Sequence, residues 1–502
     1  MRCATLLCAA ALTALTLGAT GPPAADDPRL AEFYRQKIAW GPCPASYPAP
    51  MRCGKLTVPL DYAHPSRGTI ELALSRIPAT GPHRLGSLVL NYGGPGVGGA
   101  GTTAKRTDRW RDLARSYDIV GFDPRGIAES APISCGGALP LVGTEYMDAS
   151  ELRGAIEAAN RACERRNGPI LEHVGTVDVT RDMDVLRAAL GDPKLNYLGA
   201  SYGTRIGAVY AAQFPRHVGR MVLDGVDTLS KPLDEQALDV VKGQQLAFEG
   251  FVAWCTEQPG CVYAGMDPRK ALEKAERLVA ELDADPLTTK DGKEFNGQSL
   301  AFAIENELYT THDWPELARG LGLLERKGDL TVLADQAEPE SDNEGAAWTF
   351  VNCSDYTDRG AGGDAEALQR NLDALRPEFQ EASPIFGRGE LSEIELCHGR
   401  PPADRTVADV DHPGAPPMLL IGVRNDPATP YPWTEETARR LGSAVVVDYE
   451  GHGHTGYTHS KCVKQHVDRF LETGRLPGGN GGNDGNGADT VCPAEKVDAK
   501  GG

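Results

Sequence analysis

Three side chains in this sequence have the types and settings that nucleophilic hydrolysis requires. Residues 199–203 read Gly-Ala-Ser-Tyr-Gly, a match to Gly-x-Ser-x-Gly that places Ser201 at its centre. A serine hydroxyl is a poor nucleophile unless a base takes its proton and an acid orients that base. Asp426 and a histidine of the Gly-His-Gly-His segment, His452 or His454, follow in the order serine, acid, histidine.

The residues around Ser201 strengthen a motif that is weak on its own. A short apolar strand is predicted at 195–198, and a helical pattern at 204–214 ends before Pro215. In such a strand–turn–helix the glycines permit a strained turn, and the helix N-terminus directs free N–H groups at a developing oxyanion. We therefore expect Ser201 to be the nucleophile and the Tyr202 amide to be one oxyanion donor. The alternative is a tight glycine turn with a bystander serine.

A second glycine-rich segment can supply the other oxyanion donor. Residues 91–96 read Asn-Tyr-Gly-Gly-Pro-Gly and follow a predicted strand, so backbone N–H groups there can approach a substrate carbonyl. The amide of Gly94 is the expected donor. A phosphate-binding loop is the competing interpretation, but the Lys-Ser/Thr that should follow it is missing.

The acid and the base are predicted to lie at one edge of a sheet. Asp426 directly follows a predicted strand at 418–423, and the histidine segment follows another at 444–448. The carboxyl ends of parallel strands present functional groups at the same edge, where Asp426 can orient an imidazole. Residues 123–126, Asp-Pro-Arg-Gly, belong to the same edge, and we interpret them as a structural brace beneath the site.

The elements that must position these groups alternate between strands and helices. Such alternation indicates an α/β protein with a mostly parallel sheet and helices on both faces. Strands are predicted at 55–59, 70–77, 87–92, 117–122, 195–198, 220–223, 418–423 and 444–448. Helices are predicted at 180–190, 204–214, 271–282, 298–309, 314–327, 432–441 and 462–473.

The secondary-structure pattern of the sequence changes along the chain and divides it into segments. Residues 229–402 are mainly helical in pattern, which predicts a lid inserted between two core segments, 26–228 and 403–476. Residues 477–502 contain a Gly/Asn/Asp tract that cannot bury enough apolar surface to order itself, so a flexible tail is expected.

The N-terminus and the charge balance indicate export as a soluble protein. Residues 1–25 combine an early arginine, a short apolar run and small residues, which is typical of a cleavable signal peptide. The 51 basic and 70 acidic residues give a formal charge of -19, which disfavours binding to nucleic acid or to an anionic membrane surface. The oligomeric state is left open by the sequence, and a monomer is expected.

Ten cysteines remain after the signal peptide, an even number that favours disulfides in an exported chain. They fall into five sequence-adjacent pairs, although sequence alone does not determine their pairing. The ten are Cys43, Cys53, Cys135, Cys163, Cys255, Cys261, Cys353, Cys397, Cys462 and Cys492. No metal-ligand spacing is present among them, so neither a metal nor another cofactor is expected.

Five motifs together resemble the secreted bacterial tripeptidyl aminopeptidases, relatives of prolyl aminopeptidase within the α/β-hydrolases. They are the segments at 91–96, 123–126, 199–203, 426–431 (Asp-Pro-Ala-Thr-Pro-Tyr) and 453–457 (Gly-His-Thr-Gly-Tyr). The resemblance runs from about Cys43 to Cys492. The family pattern Gly-x-Gly-His-Thr-x-Tyr maps onto 451–457 and selects His454 as the base. Tyr92 departs from the usual proline of Asn-Pro-Gly-Gly-Pro-Gly, which is expected to leave the glycine backbone usable and to alter the rim of the pocket.

The resemblance implies a serine exopeptidase that releases short peptides from substrates with a free N-terminus. Such selectivity needs a group that recognises the substrate ammonium, and Glu305, Glu307 and Asp355 of the lid are candidates. A carboxylesterase or lipase on the same triad is the nearest alternative. A non-catalytic secreted binding protein with the same fold is a more distant one.

Overall fold

The computed structural model describes residues 27–139, 147–229, 231–337, 341–356, 365–394, 397–400, 407–411, 414–478 and 490–497. The signal peptide expected at 1–25 lies outside the described residues.

A ten-stranded sheet forms the centre of the molecule. Its order is β1-β2-β3-β5-β4-β6-β7-β10-β11-β12, and β8 and β9 form a separate hairpin. The strands are β1 Gly41–Pro42, β2 Arg52–Pro59, β3 Thr69–Ile77, β4 Gly86–Asn91, β5 Tyr117–Phe122, β6 Leu195–Ala200, β7 Val218–Asp224, β8 Leu287–Thr288, β9 Glu294–Phe295, β10 Leu419–Asn425, β11 Val445–His452 and β12 Thr490–Cys492.

Strand direction changes across the sheet. From β5 through β4, β6, β7, β10 and β11 to β12 every pairing is parallel, whereas the pairings β1–β2, β2–β3 and β3–β5 are antiparallel. The sheet is thus mostly parallel, as predicted, with an antiparallel edge that includes β2 and β3. These two strands are joined by a short connection, which allows only an antiparallel neighbour, because a parallel one needs a crossover of a dozen or more residues.

Helices cover both faces of the sheet and build the segment between β7 and β10. They are α1 Ala31–Arg35, α2 Gly99–Lys105, α3 Ala149–Asn167, α4 Thr176–Leu190, α5 Tyr202–Gln213, α6 Leu233–Glu257, α7 Pro268–Ala284, α8 Gly297–Leu308, α9 Trp314–Lys327, α10 Leu333–Gln336, α11 Asp342–Asp355, α12 Ala365–Ala382, α13 Gly387–Glu393, α14 Tyr431–Leu441 and α15 Lys461–Thr473. This arrangement is the predicted α/β-hydrolase fold.

The central strands are apolar because both of their faces are buried. In β4, Val89 packs into one core with helices α4 and α5, while Leu88 and Leu90 pack into a second core on the other face with α15. This alternation follows the two-residue period of a strand. The sheet is thus held rigidly between two layers, which gives the loops at its carboxyl edge a fixed base.

The segment between β7 and β10, here called the lid, has a core of its own. Phe248 and Phe251 of α6 pack with Ile304 of α8 and with Trp314 and Leu321 of α9. These residues recur at the spacing of one helix face, which is why the pattern predicted helices there. Part of the lid therefore has its own core, whereas Ala346, Phe350 and Val351 of α11 pack into the core of the sheet.

The end of the chain differs from the expected tail. Residues Thr490–Cys492 form β12, which pairs in parallel with Val447–Tyr449 of β11 at the edge of the sheet. Backbone hydrogen bonding to an open edge strand does not require an apolar sequence, so composition gave no sign of it. The expectation of a flexible tail over 477–502 is wrong for this segment.

All five sequence-adjacent cysteine pairs are joined in disulfides. The bonds are Cys43–Cys53, Cys135–Cys163, Cys255–Cys261, Cys353–Cys397 and Cys462–Cys492. Five disulfides are typical of a protein that folds in an oxidising compartment. Across the described ranges, no helix has the length and apolar character that crossing a bilayer would need.

Candidate active site

Ser201 lies on a sharp turn between β6 and α5. Its backbone has φ 55° and ψ -128°, a conformation that costs a non-glycine residue of order 1–3 kcal/mol and that clusters at functional sites. Its side chain does not cap α5, so the hydroxyl is not engaged by the helix that it begins. The Ser201 N–H donates to the Asp224 carbonyl at 2.9 Å, which ties the turn to β7.

The two glycines of the serine motif are required by close packing. A Cβ on Gly199 would lie 2.4 Å from the Gly203 carbonyl oxygen, and a Cβ on Gly203 would lie 2.7 Å from Asn91 Oδ1. Both distances are far below van der Waals contact, so any larger residue would push β6, α5 and the glycine loop apart.

His454 and Asp426 are hydrogen-bonded. His454 Nδ1 lies 2.9 Å from Asp426 Oδ1 and 3.1 Å from Oδ2. Asp426 is buried and also accepts from the N–H groups of Ala428 and Thr429 at 2.9 and 2.8 Å. These bonds fix the carboxylate, which in turn fixes the tautomer of the ring and leaves Nε2 as the free acceptor.

The other histidine of the segment occupies a different environment. His452 packs edge-on against Trp314 of the lid, with ring centroids 5.1 Å apart, and its Nδ1 is buried with no hydrogen-bond partner among the described residues. Burial lowers its pKa. The Asp426 carboxylate is engaged by His454 and not by His452.

Ser201, His454 and Asp426 each follow the carboxyl end of a strand in the parallel part of the sheet, β6, β11 and β10 respectively. Gly225, which follows the carbonyl that holds Ser201, is also close to the imidazole, since a Cβ there would lie 3.3 Å from His454 Cε1. Ser201 also lines a cavity of about 670 Å³ that extends beneath the lid.

The glycine loop closes over the serine. A Cβ on Gly93 would lie 2.7 Å from Ser201 Cβ, so only glycine allows this approach, and Gly94 lines the same cavity as Ser201. Tyr202 begins α5, where an N–H is free of intrahelical bonding, and its side chain is buried with its hydroxyl 2.7 Å from Thr176 Oγ1. The two predicted donors, Gly94 and Tyr202, thus flank Ser201.

Tyr92 packs away from the cavity. Its hydroxyl accepts from Trp110 Nε1 at 3.0 Å and lies 3.0 Å from Thr103 Oγ1. Tyr92 does not line the cavity. The expectation that it alters the rim of the pocket is therefore wrong, because its ring finds an apolar partner in Trp110 on the other side of the loop.

Several buried acids surround the imidazole. Burial favours the neutral ring, but the Asp426 carboxylate outweighs it and raises the pKa of His454, with smaller contributions from Asp224 and Asp227. Asp224 itself is buried at the end of β7, and burial raises its pKa to about 6. His459 Nδ1 donates to the Thr455 carbonyl oxygen at 2.7 Å.

Two lid carboxyls meet inside the cavity that contains Ser201. Glu305 of α8 and Glu390 of α13 both line it, together with the fully buried Gln244 of α6. Gln244 Nε2 donates to Glu390 Oε1 at 2.8 Å. Burial and the charge of Glu390 raise the pKa of Glu305 to about 8, and burial raises the pKa of Glu390 to about 7. A cation placed between them would relieve the repulsion of two charged carboxylates.

The other two candidate acids lie elsewhere. Glu307 is buried but does not line the cavity, and one of its oxygens has no partner among the described residues. Asp355 is buried in an ion pair with Arg205, 3.3 Å away, and accepts from the N–H and hydroxyl of Thr176. Arg205 also pairs with Asp227 at 2.9 Å, so this group joins the lid to the core.

The Asp-Pro-Arg-Gly segment at 123–126 is a structural brace, as predicted. The Arg125 side chain is fully buried, forms an ion pair with Asp182 at 2.6 Å, and donates to the carbonyls of Pro59 and His173. Asp123 accepts from the Ala100 N–H at 2.8 Å.

Three residues at the site were not predicted from the sequence. Asp224 follows the strand predicted at 220–223, the same signal that singled out Asp426, so it could have been found. Gln244 and Glu390 lie on lid helices 146 residues apart, and no local pattern predicts that they meet.

Comparisons with known proteins identify relatives that align with most of the chain. A family model of the α/β-hydrolases, described as "TAP-like protein", matches residues 383–492. Serine protease Hip1 of Mycobacterium tuberculosis is 35% identical over 478 residues, which cover 88% of this chain and 90% of that protein. Tripeptidyl aminopeptidase of Streptomyces lividans is 33% identical, over 89% of this chain and 86% of its own. Carboxylesterase B of Mycobacterium tuberculosis is 32% identical, over 92% of each.

Among solved structures, a probable hydrolytic enzyme from Pseudomonas aeruginosa aligns with 85% of this chain and 94% of its own, with 14% identity and a TM-score of 0.36. That likeness is too low to support an argument. The sequence relatives are sufficient, because each spans most of both proteins at more than 30% identity. The chain belongs to the TAP-like family of α/β-hydrolases, and it is an enzyme of the serine hydrolase class.

Proposed function

We propose that this protein is a secreted serine exopeptidase of the tripeptidyl aminopeptidase type, which hydrolyses peptide bonds near a free N-terminus. The relatives named serine protease and tripeptidyl aminopeptidase support a peptidase. The five disulfides support an extracellular location.

In the proposed reaction, Ser201 Oγ attacks the scissile carbonyl carbon while His454 Nε2 accepts the hydroxyl proton. Asp426 holds Nδ1 and stabilises the imidazolium that forms. The carbonyl oxygen becomes an oxyanion, stabilised by the amides of Gly94 and Tyr202. His454 then protonates the leaving amine as the C–N bond breaks, which leaves an acyl-enzyme on Ser201. Water, activated by the same base, attacks that ester and releases a carboxylic acid product.

The observation that carries the exopeptidase proposal is the acid pair in the cavity. Glu305 and Glu390 line a cavity that also contains Ser201, and the buried Gln244 between the lid helices donates to Glu390 at 2.8 Å. Two carboxyls at close range cannot both ionise cheaply unless a cation lies between them. The protonated amine of a peptide N-terminus has the charge and the hydrogen-bond donors that such a pair requires.

The size of the cavity supports a short acyl product. Its volume of about 670 Å³ lies in the range of small-ligand sites. Lid residues such as Phe302 and Trp348 line it. A peptide whose amine is bound at Glu305 therefore reaches Ser201 after a limited number of residues.

A panel of peptide anilides of increasing length tests this function. Each peptide is compared with a free and with an acetylated N-terminus, and Ser201→Ala serves as the inactive control. We expect turnover of the free-amine series with a sharp length optimum, and a loss of at least about 100-fold on acetylation, since an unpaired buried acid pair costs several kcal/mol. Equal turnover of free and acetylated peptides would contradict the proposal.

A carboxylesterase is the second candidate, because one relative carries that name. Ester and amide hydrolysis use the same triad, so recognition in the lid must separate them. The same panel extended with simple acyl esters decides between the two. A preference for acyl esters that is unaffected by Glu305→Gln would favour the esterase.

A further inference from the structure

Asp224 contacts both halves of the proposed catalytic machinery. It is the last residue of β7, and its main-chain carbonyl accepts from the Ser201 N–H at 2.9 Å. Its side chain points to the loop that contains the histidine, where Oδ1 accepts from the Gly456 N–H at 2.7 Å and Oδ2 from the Tyr457 N–H at 2.9 Å. One residue thus binds the serine turn with its backbone and the histidine loop, residues 452–457, with its carboxylate.

The contacts of Asp224 leave it little freedom. Its side chain is 1% exposed, and β7 is paired with β6 on one side and β10 on the other, with Asp224 opposite Ala200 and Ile421. Ala200 precedes the serine, so the main chain at the serine turn cannot shift without breaking this register. No salt bridge to this carboxylate is found among the described residues, and its two oxygens accept from backbone N–H groups.

We infer that Asp224 is a positioning residue, which sets the separation of Ser201 and His454 and keeps a second negative charge beneath the imidazole. This inference rests on the proposed Ser201–His454–Asp426 triad. A carboxylate that accepts two adjacent N–H groups holds a loop more firmly than a neutral acceptor does, because both bonds are charge-assisted. A shift of about 1 Å between nucleophile and base can cost about 100-fold in rate.

The charged groups around the imidazole determine what the Asp224 charge contributes. Asp426 contacts the ring directly, and Asp227 lies on the segment after β7. His459 lies two residues beyond the histidine loop. Asp227 is compensated by its ion pair with Arg205, whereas Asp224 has only backbone partners. Loss of the Asp224 charge should therefore lower the pKa of His454, so that the neutral base persists to lower pH.

The test is the rate at which a fluorophosphonate labels Ser201 in the full-length mature protein, measured from pH 4 to pH 9 with the labelled peptide identified by mass spectrometry. This rate reports activation of the nucleophile whatever the natural substrate is. Asp224→Asn keeps the size of the side chain, removes its charge and turns one acceptor into a donor facing an N–H. Asp184→Asn is the matched control: Asp184 is equally buried, but its partners Arg187 and His217 lie away from the site.

For Asp224→Asn we expect labelling at the optimum to fall by about 10- to 100-fold, and the acid limb of the pH profile to move down by about half a pH unit or more. Asp184→Asn should lower the midpoint temperature of unfolding and leave the acid limb of the pH profile in place. The inference would be overturned if Asp224→Asn lowered the midpoint temperature of unfolding but kept the wild-type labelling rate and the wild-type acid limb. Wild-type protein that is not labelled at Ser201 would instead contradict the proposed triad.

If Asp224→Asn does not fold, Asp224→Glu provides a second test of the inference. Glutamate retains the charge but moves it by one methylene group, so the acid limb should stay in place while the labelling rate falls about tenfold or more. A wild-type labelling rate in Asp224→Glu would overturn the inference.

Discussion

At the scale of single residues, two histidines separated by one glycine lie in unlike surroundings. His454 bonds to the buried Asp426 carboxylate, whereas His452 packs against Trp314 of the lid. The first environment raises the pKa of the imidazole and the second lowers it. A base that must take and return a proton near neutral pH needs the first environment.

We predict that His454→Ala lowers kcat by about 10³-fold or more, because the triad acts as a unit. His452→Ala should lower kcat by less than about tenfold, since it removes a packing contact and no proton acceptor. Steady-state kinetics on one peptide anilide, with circular dichroism to check folding, measure both. The reverse ranking would move the role of base to His452.

The acid pair of the lid predicts a pH dependence of KM. The pKa values of Glu390 and Glu305 are raised to about 7 and about 8, so the pair is protonated and neutral below this window and binds an ammonium poorly. KM for a free-amine peptide should therefore fall as the pH rises from 5.5 to about 7.5. It should rise again once the peptide amine, with a pKa of about 8, loses its proton.

Glu305→Gln should raise KM for free-amine peptides about tenfold or more and flatten its pH dependence, because a charge-assisted contact of about 1.5–3 kcal/mol is lost. Glu307→Gln is the matched control, since Glu307 lies two residues further on α8 but does not line the cavity. An equal effect of the two substitutions on KM would show that Glu305 does not bind the amine.

At the scale of elements, the end of α8 connects the lid to the histidine loop. The Tyr309 carbonyl accepts from the His454 N–H at 2.8 Å, and the Tyr309 ring lies edge-on to the imidazole at 5.1 Å. A Cβ on Gly453 would lie 2.9 Å from the same carbonyl oxygen, so glycine permits this approach. The lid therefore does more than cover the cavity, because it contacts the proposed base directly.

Tyr309→Ala should lower kcat about tenfold, since the imidazole loses the ring that limits its rotation, and it should also raise KM, because Tyr309 lines the cavity. Tyr309→Phe keeps the ring and the carbonyl and should behave as the wild type does. Both parameters are read from initial rates on the same anilide. Equal kcat values for the alanine and phenylalanine variants would contradict a positioning role for the ring.

At the scale of the whole molecule, disulfides secure segments that secondary structure holds weakly. Cys462–Cys492 links α15 to the edge strand β12 across 30 residues, while Cys255–Cys261 closes a loop of only 6 residues inside the lid. Crosslinks that close longer loops remove more entropy from the unfolded chain. By loop length, Cys353–Cys397, which closes 44 residues, and Cys462–Cys492 both constrain the unfolded chain more than Cys255–Cys261 does.

Replacing both Cys462 and Cys492 by serine should lower the free energy of unfolding by about 3.6 kcal/mol, against about 2 kcal/mol for the Cys255–Cys261 pair, on the loop-entropy estimate. Catalytic rates should change little, because β12 does not line the cavity. Urea unfolding followed by fluorescence measures the difference. A larger loss for the Cys255–Cys261 pair would show that strain or packing, and not loop length, dominates.

Much of the fold follows from short-range patterns. The runs at 117–122 and 195–198 are strands because their apolar residues and flanking turns act within a few positions, and the helices at 271–282 and 314–327 follow from one-face periodicity. The serine turn and the loops of Asp426 and His454 could be located for the same reason, since each directly follows a predictable strand. Strands β1 and β12 could not, because each is defined only by its partner.

Local residue chemistry was therefore sufficient for the class of fold and the order of the catalytic candidates, whereas the pairing of the ten cysteines was decided by the tertiary structure. It could not distinguish Glu305 from Glu307 or Asp355, and it did not indicate Gln244 or Glu390, because their environments arise when helices distant in sequence pack together. Burial and pairing are properties of the packed molecule, so the acid pair and the double contact of Asp224 emerge only in three dimensions.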